Sequence, residues 1–315
     1  MGPSRVWGNG RHDRLAQATA SVLATALPLA VVLGLAMVLG AADDTAQAQT
    51  TDFHSRLPQR IQAAGKLIVG TAPTYAPLEY KDPASNELQG LDIDLGNEIG
   101  RRLGVRVEWV EQGFEQLITS LDTGRIDMGA SGMTDIASRR QKTDFVDYFA
   151  TGTQLFSMPA AGAALHRVED VCGQPVAVNR NGIFYIRLSE FNERVCVKQG
   201  RPAILFSLTD KTADARLQII QGRVVAAVQG VDAIRYLNES ATSADRGKFI
   251  LIGNPISVDL AGFGFVKTET GLRDLVADVV TEMIRDGSYD KIFRKWELPY
   301  SEVKAVTING EPRLK

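Results

Sequence analysis

Histidine and cysteine are scarce in this chain of 315 residues, which has three His and two Cys. Beyond residue 48 the histidines are His54 and His166, and neither stands at ligand spacing from Cys172 or Cys196. A His/Cys metal centre is therefore not expected, and no metal residue is assigned. An excess of positive charge is also missing. Lys and Arg total 35 against 37 Asp and Glu, a net charge of −2, so the basic face that a nucleic-acid partner would want is excluded. No Gly-Lys-Ser/Thr loop occurs, which excludes a P-loop NTPase. Gly129-Ala130-Ser131-Gly132 falls short of a nucleophile elbow, because Met133 stands second after the serine and neither histidine sits in a motif that would make it a base. Glu79, Asp232 and Tyr185 are the only candidates for acid–base work and form no convincing pair. A non-enzymatic role without a cofactor is the first expectation. No solenoid-type repeat and no low-complexity segment follow the N-terminal region.

The long apolar run lies at the N-terminus. Arg5, Arg11 and Arg14 precede an uncharged stretch from Leu15 to Ala42, and Ala46-Gln47-Ala48 fits a small-x-small cleavage site. This reads as an export signal over residues 1–48, with an uncleaved membrane anchor as the alternative. Either way the remainder is exported, and a periplasmic location follows. A polar leader is expected over 49–63. In an exported chain the pair Cys172 and Cys196 reads as a disulfide, which would stabilise by about 3–4 kcal/mol. Two buried free thiols are the alternative.

Periodicity then alternates between strand and helix. Leu67 to Val69 reads as a buried strand, and Leu91, Leu95, Ile99 and Leu103 recur at helical spacing. Val105 to Val110 is a strand, Phe114 to Leu121 a helix, and Ile126 to Ala130 a strand. A capped helix from Thr134 and Asp135 carries Arg139. A second region repeats the pattern, with strands at Val176–Val178, Ile204–Phe206, Val224–Val228 and Phe249–Ile252 and helices between them. The apolar strand Leu260–Val266 and two helices broken at Gly287 then return to the first region. The expected organisation is lobe 1 over 64–151 and 258–300, lobe 2 over 152–257 and a tail over 301–315. Each lobe is expected to be a mainly parallel sheet flanked by helices, with sites at the carboxyl ends of strands.

The residues at those ends suggest an anion clamp. Arg139 has five fixed donors that can grip a carboxylate bidentately, Ser131 and Thr134 carry hydroxyls, and the backbone at Gly132 can approach closely. Alone, Arg139 would read as part of a solvated basic face with Arg140 and Lys142. The Ser-Gly-x-Thr turn before it favours the clamp.

Leu67-Ile68-Val69-Gly70-Thr71, Tyr75-Ala76-Pro77-Leu78-Glu79-Tyr80, Gly90-Leu91-Asp92-Ile93-Asp94-Leu95 and Ile126 to Thr134 with Arg139, in that order, resemble the extracellular solute-binding proteins of amino-acid ABC importers. The resemblance spans about residues 64 to 298. It implies a two-lobed type II periplasmic binding protein fold with two interlobe crossings, near 150–153 and 258–260. It also implies hinge closure on an amino acid or related small carboxylate, and delivery by a monomer to an ABC permease in the inner membrane. Ser131, Gly132, Thr134 and Arg139 would take the ligand carboxylate, and Tyr75 and Phe114 its side chain. On the second lobe the resemblance points to Gly182, Ile183, Gln229, Gly230 and Asp232. Relatives often carry a carboxylate at position 230, a hydroxyl residue at 183 and an acidic residue at 72, where this chain has Gly230, Ile183 and Ala72. Asn179, Arg180, Asn181 and Gln229 are the polar candidates left there. The expectation is therefore weak binding of arginine, lysine and histidine, and preference for a neutral or acidic amino acid or a deaminated carboxylate, unless Asp232 swings in. A cyclic carboxylic-acid dehydratase on the same scaffold and an exported sensor module are the alternatives.

Overall fold

Phe53, Leu57 and Ile61 are buried in the first hydrophobic core, although they fall in the stretch expected to be a polar leader. Their spacing places them on one side of the turn His54–Arg56 and helix α1 (Gln59–Ala64), so polar composition concealed a docked element. The computed structural model describes residues 52–162, 164–180, 182–240 and 243–313. The expected export signal and Asn181 lie outside them. Among the described residues no helix is long and apolar enough to cross a membrane.

Strand β1 (Lys66–Thr71) is followed by the short strands β2 (Thr74–Tyr75), β3 (Glu79–Lys81) and β4 (Leu88–Gln89). Leu91, Leu95, Ile99 and Leu103 bury the inner face of α2 (Leu91–Leu103), and each such side chain contributes about 1.5–3 kcal/mol. Then come β5 (Arg106–Glu111), α3 (Leu117–Asp122), β6 (Met128–Gly129), α4 (Ala137–Arg140) and β7 (Thr143–Thr151). Strand β7 has no alternating pattern because its first seven residues are all buried, Asp144 and Asp147 included. The chain continues through β8 (Thr153–Ser157), α5 (Pro159–Gly162), β9 (Pro175–Asn179) and α6 (Ile183–Phe191). Next are β10 (Leu205–Thr209), α7 (Thr212–Ile220), β11 (Ala226–Gly230), α8 (Val231–Glu239) and β12 (Ile250–Ile252). Strand β13 (Asp259–Val266), α9 (Thr270–Asp286), α10 (Ser288–Lys295), β14 (Glu302–Ile308) and β15 (Glu311–Pro312) complete it.

Two sheets result. One has the order β15-β14-β7-β13-β6-β1-β5 and the other β10-β9-β11-β8-β12. Parallel pairing joins β5, β1 and β6 in the first and β10, β9 and β11 in the second. The remaining pairs are antiparallel, so the sheets are mixed rather than mainly parallel. The strands that run into and out of the crossings reverse direction, and this adds the antiparallel half. The chain leaves the first sheet at Thr151 and enters the second at Thr153, then returns between Ile252 and Asp259. Cys172 and Cys196 form a disulfide in the second lobe, with 24 residues of sequence separation.

Residues 302–312, expected as a tail, instead add β14 and β15 to the first sheet beside β7. Polar side chains make this junction. Asp147 accepts from Thr307 Oγ1 at 2.7 Å and Gly310 N at 2.8 Å. Its carboxyl is pushed up to about 7 by burial, with the neighbouring Asp135 adding to the shift. The unfolded chain releases this proton near pH 4 and the folded chain near pH 7, so the contribution is present below about pH 4 and lost as pH rises to 7. Asp147→Asn, which keeps the acceptor and drops the charge, should raise Tm at pH 8 and leave it nearly unchanged at pH 4. Equal shifts at both pH values would contradict this assignment.

Candidate functional site

The carboxyl ends of the six parallel-paired strands face one another across the lobes. Residues just beyond β1, β5, β6, β9, β10 and β11 supply most of the wall of one cavity of about 350 Å³. This is where open α/β sheets place ligands, because backbone groups at strand ends and helix starts are left unpaired there. Tyr75 closes it from the first lobe. Its ring stacks on Phe184 of the second lobe at 6.2 Å between centroids, and its hydroxyl donates to Asp232 Oδ2 at 3.3 Å.

Arg139 stands on α4 and lines the cavity. Its Nη1 donates to the Thr134 carbonyl at 2.9 Å, and its guanidinium lies 5.0 Å from the centre of the Phe114 ring. No carboxylate among the described residues pairs with it, whereas Arg140 pairs with Asp135. Burial pulls the Arg139 guanidinium below its ordinary value. Phe114 lines the cavity too, and one role of its ring is to carry this cation.

Ser131 and Gly132 line the cavity, but their hydrogen-bonding groups are committed to the protein. The Ser131 hydroxyl accepts from Ala72 N and donates to Glu79 Oε1, both at 3.0 Å. Gly132 N donates to Asp92 Oδ2 at 2.8 Å. Gly132 has φ +51°, and a Cβ there would lie 3.0 Å from the Leu78 side chain. These two residues therefore hold the carboxylates of Glu79, on the wall, and Asp92, behind it. Thr134 is buried on it.

Carboxyl groups gather at the same cavity. Glu79 lines the cavity and is buried, and its Oε2 has no hydrogen-bond partner among the described residues. Burial, with Asp92 and Asp232 nearby, pushes the Glu79 carboxyl well above its ordinary value. Asp92, in the first turn of α2, accepts from Tyr148 Oη, and burial raises it to about 6. Asp232, at the start of α8, also lines the cavity and accepts from Thr151 Oγ1. Burial raises its carboxyl, while Thr151 and Tyr75 oppose the rise.

Gly230 explains why Asp232 is here. A Cβ at 230 would lie 2.2 Å from Tyr75 Oη and 2.6 Å from Asp232 Oδ1. The Asp232 carboxylate thus occupies the space into which a side chain at 230 would grow. A carboxylate two residues on from Gly230 thus reaches the cavity wall. Gly230 itself does not line the cavity. Gln229 does not either: side chains alternate along β11, so it faces a separate cavity of about 260 Å³ beside Lys81, Arg216 and Leu237. Arg180 is off the wall and pairs at 2.9 Å with Asp210, which lines it together with Asn179. Gly182 and Ile183 line it at the N-terminus of α6, where no side chain caps the helix. Sequence reasoning weighed Glu79 only as an acid catalyst and overlooked Thr151, Gln112, Lys211 and Thr212, although each lies close to a strand end. Among the described residues no group of three or more His, Cys, Asp or Glu side chains could hold a metal ion.

Residues 67–299 match the family described as bacterial extracellular solute-binding proteins, family 3. The arginine-binding protein ArgT of Corynebacterium glutamicum is 27% identical over 262 residues, covering 83% of this chain and 84% of that protein. The putative amino-acid ABC transporter-binding protein PatH of Vibrio harveyi is 30% identical over 243 residues, covering 75% and 90%. Among solved structures, holo ArgBP from T. maritima superposes with a TM-score of 0.62 at 28% identity, covering 76% of this chain and 99% of that one. The ancestral amino acid-binding protein AncCDT-1, a precursor of cyclohexadienyl dehydratase, gives 0.66 at 27%, covering 75% and 97%.

A larger side chain at 230 should keep the lobes apart. Gly230→Ala is expected to raise the radius of gyration measured by X-ray scattering. A closed, wild-type profile would show that the Tyr75–Asp232 contact does not need this glycine.

Proposed function

The chain belongs to family 3 of the bacterial extracellular solute-binding proteins, and we propose that its cleft selects a cationic L-amino acid of arginine or lysine type. Members of this kind bind amino acids for ABC importers, and binding is the work of this chain. The single observation that carries the choice of a cation is Glu79, a buried carboxyl on the cleft wall with one oxygen unpaired among the described residues, set near Asp232. Burial disfavours the ionised form of both carboxyls, and a ligand cation beside them restores it. A zwitterion with a cationic side chain supplies one negative and two positive groups and meets both carboxyls and Arg139.

In this reading Arg139 grips the α-carboxylate, helped by the Thr134 hydroxyl and the uncapped backbone N–H groups at Ile183 and beyond. Asp232 takes the α-ammonium. Glu79, held by Ser131, takes the side-chain cation. Tyr75, Phe114 and Phe184 supply aromatic walls for the alkyl stem. The ligand touches both lobes only when the cleft is shut, so binding shifts the population toward the closed form. That form is offered to an ABC permease by a periplasmic monomer. Turnover forms no part of this reading, and incubation with prephenate should leave it unconsumed.

Calorimetry against L-arginine, L-lysine, L-glutamine, L-glutamate and the deaminated analogue of arginine tests the proposal. Arginine or lysine should bind most tightly. Arg139→Ala should cost about 2–5 kcal/mol in affinity. Glu79→Gln should lower affinity for arginine while sparing glutamine. Selective binding of glutamate or of a deaminated acid would overturn it.

A further inference from the structure

Tyr300 lies just past the family match, which ends at residue 299. It sits on the turn Pro299–Ser301, which packs against β7 and α10 of the first lobe. Its side chain crosses to the second lobe. The hydroxyl donates to the main-chain carbonyl of Asp232 at 3.3 Å, and the ring lies 5.0 Å from the Arg235 guanidinium, one turn further along α8. Tyr300 is 40% exposed, so it grips α8 from the rim and does not fill a core. Burial of the hydroxyl end keeps the phenol protonated, as a donor must be. The strand that follows, β14, pairs with β7, and β7 runs directly into the interlobe crossing at Gly152. Thr151, at the end of β7, donates to the Asp232 carboxylate. One short segment therefore holds both the base of α8 and the strand leading to the crossing.

We infer that Tyr300 is a closure latch, a positioning residue that holds α8 and Asp232 against the first lobe when the cleft shuts. It touches no ligand. Its two bonds exist only where the lobes meet, so they stabilise the closed form and are absent from the open one. Association starts from the open form, and the latch must therefore slow release without speeding capture. The effect on ligand release rests on the reading of Asp232 as a ligand partner, whereas the latch itself rests on the contacts across the lobes.

Tyr300→Phe removes the hydroxyl and keeps the ring over Arg235, and Tyr300→Ala removes both. With L-arginine as the probe in stopped-flow fluorescence, release should be about tenfold faster for Tyr300→Ala and about threefold for Tyr300→Phe. The association rate should not fall below the wild-type value, whereas a merely structural role would leave the release rate unmoved. A release rate for Tyr300→Ala within twofold of wild type overturns the latch. If L-arginine binds neither protein, the ligand assignment fails and the latch is read from scattering of the ligand-free protein. There Tyr300→Ala should expand the mean radius of gyration, and identical profiles overturn it.

Discussion

Buried charge without a partner is the constraint on which this cleft depends. Glu79, Asp92 and Asp232 lie close together, and Arg139 lines the same cavity with no carboxylate paired to it among the described residues. Burial raises the three carboxyls and lowers the guanidinium, so every one of these groups is held in an environment that disfavours its charge. The protein answers only part of this cost. Ser131, Gly132, Tyr148, Thr151 and Tyr75 each give one hydrogen bond to a carboxylate. The remainder is available to a ligand, which is how selectivity arises from a strained polar site.

Topology explains why these groups meet. Each sheet carries three strands in parallel, and all six end toward the cavity. Antiparallel strands at the crossings and the C-terminal hairpin then brace the far side of β7. The added hairpin brings Tyr300 to α8, so closure is coupled to a segment outside the family match.

Local pattern made much of this legible. The spacing of Leu91, Leu95, Ile99 and Leu103 marked α2, and the Ser-Gly-x-Thr turn before Arg139 marked a cleft wall. Long-range contacts were not legible. Nothing near Ser131 and Gly132 in the sequence shows that they hydrogen-bond to Glu79 and Asp92, about forty to fifty residues away. Asp232 stood out as the group that could stand in near Gly230, and the fold places its carboxylate in the space a side chain at 230 would take. Strand β7 escaped periodicity because both its faces are covered. The helix α1 was concealed by polar neighbours that leave only a narrow buried side.

The central claim is that a cationic ligand neutralises Glu79 and Asp232. It is tested most directly by counting protons on binding. Calorimetric titration of L-arginine at pH 6 in two buffers of different ionisation enthalpy gives that count. Burial raises these carboxyls in the free protein, and a bound cation would lower them again, so binding shifts them toward the ionised form. Net release of protons is the predicted result, and it should diminish in Glu79→Gln. Binding of L-arginine without proton release, or with uptake, would contradict the account.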